Sequence, residues 1–208
     1  MRIPVPAVFV VDDDPAVLKS LSRVMRAAGL NVAAFGSPRE FLEQYDQSSP
    51  GCLVLDVAMP GLNGLELQSA LAAKGSTIPI VFLTGHGDIP TSVQAMKGGA
   101  VDFLTKPVND AELVDAIRIA IERDRILRQS RVELDDILQR LATLTPRERE
   151  VLDHVVSGQL NKQIAGDLVI VESTVKVHRA RVMEKLKVRS LAELVRLVER
   201  AGIGGKRS

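Results

Sequence analysis

Residues 52–61, Cys52-Leu53-Val54-Leu55-Asp56-Val57-Ala58-Met59-Pro60-Gly61, form a short apolar run that ends in a lone carboxylate and is followed by turn residues. An apolar run of this length, bounded by turn signals, describes a strand covered on both faces. The same pattern recurs along the chain. Val8-Phe9-Val10-Val11 ends in Asp12-Asp13-Asp14, Ile80-Val81-Phe82-Leu83 ends in the hydroxyl of Thr84, and Ala100-Val101-Asp102-Phe103-Leu104-Thr105 ends in Lys106 and Pro107. In an open parallel sheet all such ends lie on one edge, where ligands bind. Acids, a hydroxyl and an ammonium are therefore expected to converge there.

Outward from these runs, segments of helical periodicity alternate with strands through about residue 124, which reads as five βα units. The expected architecture is an α/β, five-stranded parallel, doubly wound domain over 1–124, a helical linker over 125–140, and a small all-α helix-turn-helix domain over 141–208. The first helix illustrates the local logic. Asp14 can cap it, Pro15 fits its first turn, Val17, Leu18, Leu21, Val24, Met25 and Ala28 share a stripe, and Gly29 can end it.

Charge separates the two halves. Residues 1–140 hold 14 Lys/Arg against 18 Asp/Glu, whereas 141–208 hold 13 against 8, so −4 faces +5. An acidic first half suits a cation site and a basic second half suits a polyanion. The single cysteine, Cys52, lies inside a strand and reads as a small buried hydrophobe. No apolar stretch approaches the roughly 18 residues of a membrane span, and the start Met1-Arg2-Ile3-Pro4 lacks a signal-peptide core. A cytoplasmic protein with no membrane partner is expected.

From Asn109 the pattern becomes helical, with Leu113, Ala120, Leu127, Leu134 and Leu141 at seven-residue intervals. Asp124 and Arg131 interrupt the companion positions, which leaves a dimerising helix and a solvated linker both open. Thr145-Pro146-Arg147-Glu148 is then a capping box opening a helix that stops near Gly158. A short helix at 161–168, a turn at 169–172 and a longer helix at 173–186 give the helix-turn-helix order, braced by a last helix over 191–200.

Several carboxylates with backbone carbonyls make a hard oxygen site suited to Mg²⁺. A cation there lets a carboxylate attack a phosphoryl group and become an acyl phosphate. Asp56 is the candidate nucleophile because it stands alone at its strand end, with Asp12 and Asp13 placed to hold metal. Lys106 offers a positive charge, and Thr84 a donor, to the phosphoryl oxygens. A phosphatase of the haloacid dehalogenase kind, with Asp12 as nucleophile and Asp14 as acid, is the competing enzyme reading. A constitutive DNA binder is a third.

The motifs Val11-Asp12-Asp13-Asp14, Leu55-Asp56-Val57-Ala58-Met59-Pro60-Gly61-Leu62-Asn63-Gly64 and Lys106-Pro107 resemble the receiver domain of bacterial two-component response regulators. The resemblance implies that Asp56 takes a phosphoryl group from the phosphohistidine of a sensor histidine kinase. It implies Mg²⁺ held by Asp13, Asp56 and the main-chain carbonyl of Ala58, with Asp12 acting through water. It further implies a switch in which Thr84 turns and Phe103 moves inward, and a cis Lys106-Pro107 bond. Ala58 and His86 fall where side chains influence acyl phosphate hydrolysis.

Residues 141–204 resemble the LuxR-type DNA-binding domain through Leu144-Thr145-Pro146-Arg147-Glu148-Arg149-Glu150-Val151-Leu152, Asn161-Lys162-Gln163-Ile164-Ala165 and Glu172-Ser173-Thr174-Val175-Lys176-Val177-His178. With the loop Thr84-Gly85-His86-Gly87-Asp88, the chain is similar to the NarL/FixJ family, closest in appearance to its FixJ and StyR/TodT branch. By that resemblance Lys176, Val177, Ala180 and Arg181 face bases, Lys162, Thr174, Arg179 and Lys185 lie nearer the DNA backbone, and Ser173 is a further DNA-binding residue. The implied partners are the kinase, promoter DNA, RNA polymerase and, on phosphorylation, a second copy of the chain. Val171 stands where relatives place a capping Thr or Ser, a loss of roughly 1 kcal/mol that can shift the helix start.

Overall fold

The computed structural model describes residues 5–85 and 89–203, which fall into two compact units divided between Arg128 and Gln129. In the first unit the chain runs β1 (Ala7–Val11), α1 (Pro15–Ala27), β2 (Asn31–Phe35), α2 (Pro38–Gln44), β3 (Gly51–Asp56), α3 (Gly64–Ala73), β4 (Ile80–Thr84), α4 (Ile89–Lys97) and β5 (Asp102–Thr105), and then enters α5 (Asp110–Ala142). All strand pairs are parallel, in the order β2-β1-β3-β4-β5. The α/β doubly wound expectation is met.

Side chains alternate across the sheet. Phe9, Val11, Leu53, Leu55 and Phe82 pack with Phe41, Leu67, Leu71 and Ala95 from α2, α3 and α4 on one face. Val8, Val10, Cys52, Val54, Val81 and Leu83 pack with Leu21, Met25, Leu113 and Ile117 from α1 and α5 on the other. Burial pushes the Cys52 thiol up to about 12, so it stays protonated as a core residue. The register sets Val11 level with Leu55 and Leu83 level with Asp56, which brings the ends of β1, β3 and β4 to one edge.

Two local readings change in three dimensions. β5 begins at Asp102, not Ala100, because the Ala100 N–H still closes the last turn of α4 on the Ala95 carbonyl at 3.2 Å. The seven-residue repeat along α5 is divided among different surroundings. Leu113 and Ala120 belong to the first unit's core and Leu141 to the second's, while Leu127 and Leu134 are exposed.

Asp124, read from sequence as a polar interruption, is only 1% exposed. Its Oδ2 accepts from the Gly51 N–H at 2.9 Å and from Arg128 Nε at 2.7 Å. The Arg128 guanidinium then donates to the carbonyls of Gln47, Ser48 and Ser49 at 2.7–3.1 Å. This clasp ties α5 to the loop before β3. Gly51 has φ +145°, and a Cβ there would lie 1.8 Å from the Ala7 carbonyl oxygen, so only glycine fits.

The second unit contains the end of α5, then α6 (Pro146–Val156), α7 (Asn161–Asp167), α8 (Glu172–Lys185) and α9 (Leu191–Arg200). Ile137 and Leu141 of α5 join Val151, Leu152, Val155, Ile164, Val175, Val182, Leu194 and Val198 in its core. The capping box at α6 is complete, with Thr145 and Glu148 each accepting from the other's backbone N–H. Val171 gives α8 no side-chain cap, and the helix starts at Glu172. The turn between α7 and α8 carries Val169 at φ +54°, with its side chain in solvent. Among the described residues, no helix is long and apolar enough to cross a membrane.

Candidate functional site

The sheet edge gathers four of the expected residues. Asp12, at the end of β1, is 2% exposed and Asp56, at the end of β3, is 6% exposed. Lys106 follows β5 and donates from Nζ to Asp12 Oδ2 at 2.6 Å and to Asp56 Oδ1 at 2.8 Å. Thr84 is buried at the end of β4, and its carbonyl accepts from the Lys106 N–H at 2.7 Å. The Lys106-Pro107 bond is cis. Asp12 is also held by the Asp14 N–H, which donates to its Oδ1 at 2.9 Å.

These distances define the electrostatics. Burial pushes the Asp56 carboxyl above its usual range; the Asp12 charge adds to the rise, and the Lys106 hydrogen bond and charge oppose it. Burial works to lower the Lys106 ammonium, but its bonds to both carboxylates win and hold it above 10.5. Two carboxylates against one ammonium leave the pocket short of positive charge. Their oxygens already converge on one cation position, and hard oxygen donors in small number are what Mg²⁺ accepts, with water completing its shell. The donor chemistry fits. Among the described residues, however, no three Asp, Glu, His or Cys side chains are gathered as a metal cluster, and Asp13 is exposed.

Around this centre, Ala58 is exposed on the loop after β3, and Phe103 is partly buried, its ring 6.2 Å from that of Phe82. Asp14 caps α1, accepting from the Ala16 N–H at 2.7 Å. His86 lies outside the described residues.

On α8 the exposed residues Ser173, Lys176, Val177, Ala180 and Arg181 fall at helical spacing on one face, with Val175 and Val182 buried on the other. Thr174 is partly buried beside that face, and Lys162 is exposed on α7. Two candidates are engaged within the fold. Arg179 Nη1 donates to Asn161 Oδ1 at 2.7 Å, bracing α8 against α7. Lys185 Nζ donates to the buried Glu148 at 2.6 Å and to the Thr143 carbonyl at 3.1 Å. Its ammonium pairs with the capping-box carboxylate while a third of its side chain stays open to water.

The chain thus carries a buried acid pair bridged by lysine at a parallel sheet edge and, in its second unit, a helix-turn-helix. Residues 8–118 fit the response regulator receiver domain, and residues 142–198 fit the luxR family of bacterial regulatory proteins. The chain belongs to the response regulators. It is a transcriptional regulator of the two-component kind, a receiver followed by a LuxR-type DNA-binding domain. The chain is 50% identical to nodulation protein W of Bradyrhizobium diazoefficiens, over 94% of this chain and 86% of that one. It is 46% identical to the response regulator protein TodT of Pseudomonas putida, over 93% and 85%. Among solved structures, the response regulator StyR superimposes with a TM-score of 0.84 at 50% identity, covering 94% of this regulator and 98% of StyR. Full-length FixJ from B. japonicum gives 0.59 at 43% identity, over 97% and 99%. Receiver domains generally bind Mg²⁺ at their phosphorylation site.

Sequence reasoning missed the Asp124–Arg128 clasp and the Glu148–Lys185 pair. The capping box announced Glu148, but its partner is 37 residues away and nothing in the local pattern names it.

Proposed function

We propose that the regulator takes a phosphoryl group on Asp56 from the phosphohistidine of a sensor histidine kinase and, so modified, binds promoter DNA as a dimer through α8. The observation that carries this reading is the bond from Lys106 to both buried carboxylates. It sets a positive charge where phosphoryl oxygens would sit and points a carboxylate oxygen at the same place. In the transfer, an Asp56 oxygen bonds to phosphorus as the bond from phosphorus to the kinase imidazole breaks. The imidazole nitrogen keeps the electron pair and takes up a proton. Lys106 turns from Asp56 Oδ1 to a phosphoryl oxygen, and the Thr84 hydroxyl serves another.

Asp12, Asp13, Asp56 and the Ala58 carbonyl would hold Mg²⁺, which would supply charge neutralisation between the phosphoryl group and the acids. Water attack on the same phosphorus breaks its bond to the Asp56 oxygen, which leaves as the carboxylate while inorganic phosphate is released, so both steps are self-catalysed on the chain's own aspartate. Phe103, already against Phe82, follows Thr84 inward and carries the change to the receiver surface. The receiver over 1–124 and the DNA-binding domain over 141–208, joined by the helical segment 125–140, act together in the cytoplasm. On DNA, two copies engage two half-sites and meet RNA polymerase, with Lys162, Ser173, Thr174, Lys176, Val177, Ala180 and Arg181 as the contact face.

The test is direct. With acetyl phosphate and Mg²⁺, intact-mass measurement is expected to show one phosphoryl group, lost in Asp56→Ala together with donor-stimulated promoter binding. Retention of both in the variant defeats the reading.

A further inference from the structure

We propose that Gly64, the first residue of α3, is a positioning residue for phosphoryl transfer, because its bare Cα is what lets the Asp56 backbone sit where the pocket needs it. The inference rests on Asp56 as phosphoacceptor. A Cβ on Gly64 would lie 2.3 Å from the Asp56 carbonyl oxygen and 3.1 Å from both Val57 Cα and the Phe82 ring. Unlike Gly51, this glycine does not have a positive φ, so its backbone tolerates any residue. At the first turn of a helix, alanine would be the better helix former. Glycine is therefore demanded by closeness alone.

The contact closes a loop that belongs to the site. The Val57 N–H donates to the Leu83 carbonyl of β4 at 3.1 Å, and the Gly64 N–H donates to the Val57 carbonyl at 3.0 Å. The segment from Val57 to Gly64 is thus pinned at both ends, and Ala58 lies within it. The first turn of α3 is itself fixed, since Asn63 Oδ1 accepts from the Glu66 N–H at 2.9 Å and Glu66 Oε2 accepts from the Asn63 N–H at 2.8 Å. A rigid helix start pressed on the Asp56 carbonyl holds the nucleophile's own peptide. On its other side an added Cβ would meet Phe82 at 3.1 Å, and the Phe82 ring lies 6.2 Å from that of Phe103. A Cβ at 2.3 Å must displace the Asp56 backbone or the helix by about 1 Å, and misplacement on that scale costs up to about 100-fold in rate.

The experiment uses the full chain with acetyl phosphate and Mg²⁺, following phosphorylation by intact mass across donor concentrations. Gly64→Ala is expected to lower the maximal rate at least tenfold while the half-saturating donor concentration holds. Gly36→Ala, whose added Cβ meets nothing closer than 3.8 Å, is expected to react like the parent. Adding Phe82→Leu to Gly64→Ala relieves the ring contact and not the carbonyl contact, so the rate is expected to stay low; recovery to the parent rate overturns the assignment. A parent-like rate in Gly64→Ala overturns it too. Should Gly64→Ala not fold, Glu66→Ala loosens the same helix start without adding atoms. It is expected to slow transfer severalfold, and an unchanged rate counts against the role. If the parent itself is not labelled at Asp56, the phosphoacceptor reading fails, which is a different result from a labelled parent with an indifferent Gly64.

Discussion

The two units each bury acid against a lysine, and they do so to opposite ends. In the DNA-binding unit one carboxylate, Glu148, meets one ammonium, Lys185, and also accepts the Thr145 N–H. The Lys185 hydrogen bond holds the Glu148 carboxyl below its usual 4.5. That charge is matched. In the receiver, Lys106 is shared between Asp12 and Asp56, and the Asp56 carboxyl is raised. A matched pair is scaffolding, whereas a pair with surplus negative charge stands ready for a further cation and for chemistry. Counting charges inside the clasp separates the roles better than burial does, since Asp12 and Glu148 are both 2% exposed.

Changing one acid in each clasp should break the symmetry most visibly. Asp12→Asn is expected to cut acetyl-phosphate labelling of Asp56 by roughly 100-fold, because it disturbs the groups that position phosphate and metal. The same variant is expected to gain about 1 kcal/mol in urea unfolding, as removing surplus charge from a strained site commonly does. Glu148→Gln should move stability the other way, with a loss of about 1–3 kcal/mol for an ammonium left without its charge partner. The one-third exposure of Lys185 to water keeps that loss toward the lower end. Equal signs in the two variants would end the distinction between the clasps.

A smaller effect concerns pH. A carboxyl depressed in the folded state adds stability above its unfolded value of 4.5, and that stability is lost as pH falls through the lower folded value. Urea midpoints of the full chain by circular dichroism at about pH 6 and about pH 3.5 should therefore drop. The drop should shrink in Lys185→Met, which has no pair left to lose.

The slightest change is expected on DNA. Lys162→Ala should reduce the salt slope of promoter binding by about 1, the signature of one phosphate contact. Lys185→Met should leave the slope unaltered because its ammonium is already satisfied. A slope change equal to that of Lys162→Ala would put Lys185 back on the DNA.

Much of the receiver site is legible in the chain because strand ends of a parallel sheet share an edge. Once 8–11, 52–55 and 80–83 are recognised as parallel strands, Asp12, Asp56 and Thr84 fall on one edge, and the strand order then makes them neighbours, although the lysine bonds span 94 and 50 residues. The helix-turn-helix is legible for a different reason, as its signals are local: a capping box, a turn and helical spacing. Three features escape both routes. The Asp124 carboxylate meets Gly51 across 73 residues, the Lys185 ammonium turns inward, and Gly64 owes its identity to a carbonyl that local sequence does not place.

Amphipathic period and strand-end chemistry, written along the chain, determined the two-part architecture and the acidic edge, since hydrophobic burial acts on patterns that a sequence displays. Tertiary structure alone decided which charges are matched and which are left over. Hydrogen bonds and ion pairs depend on ångström distances between side chains remote in sequence, and those distances exist only once the cores have packed.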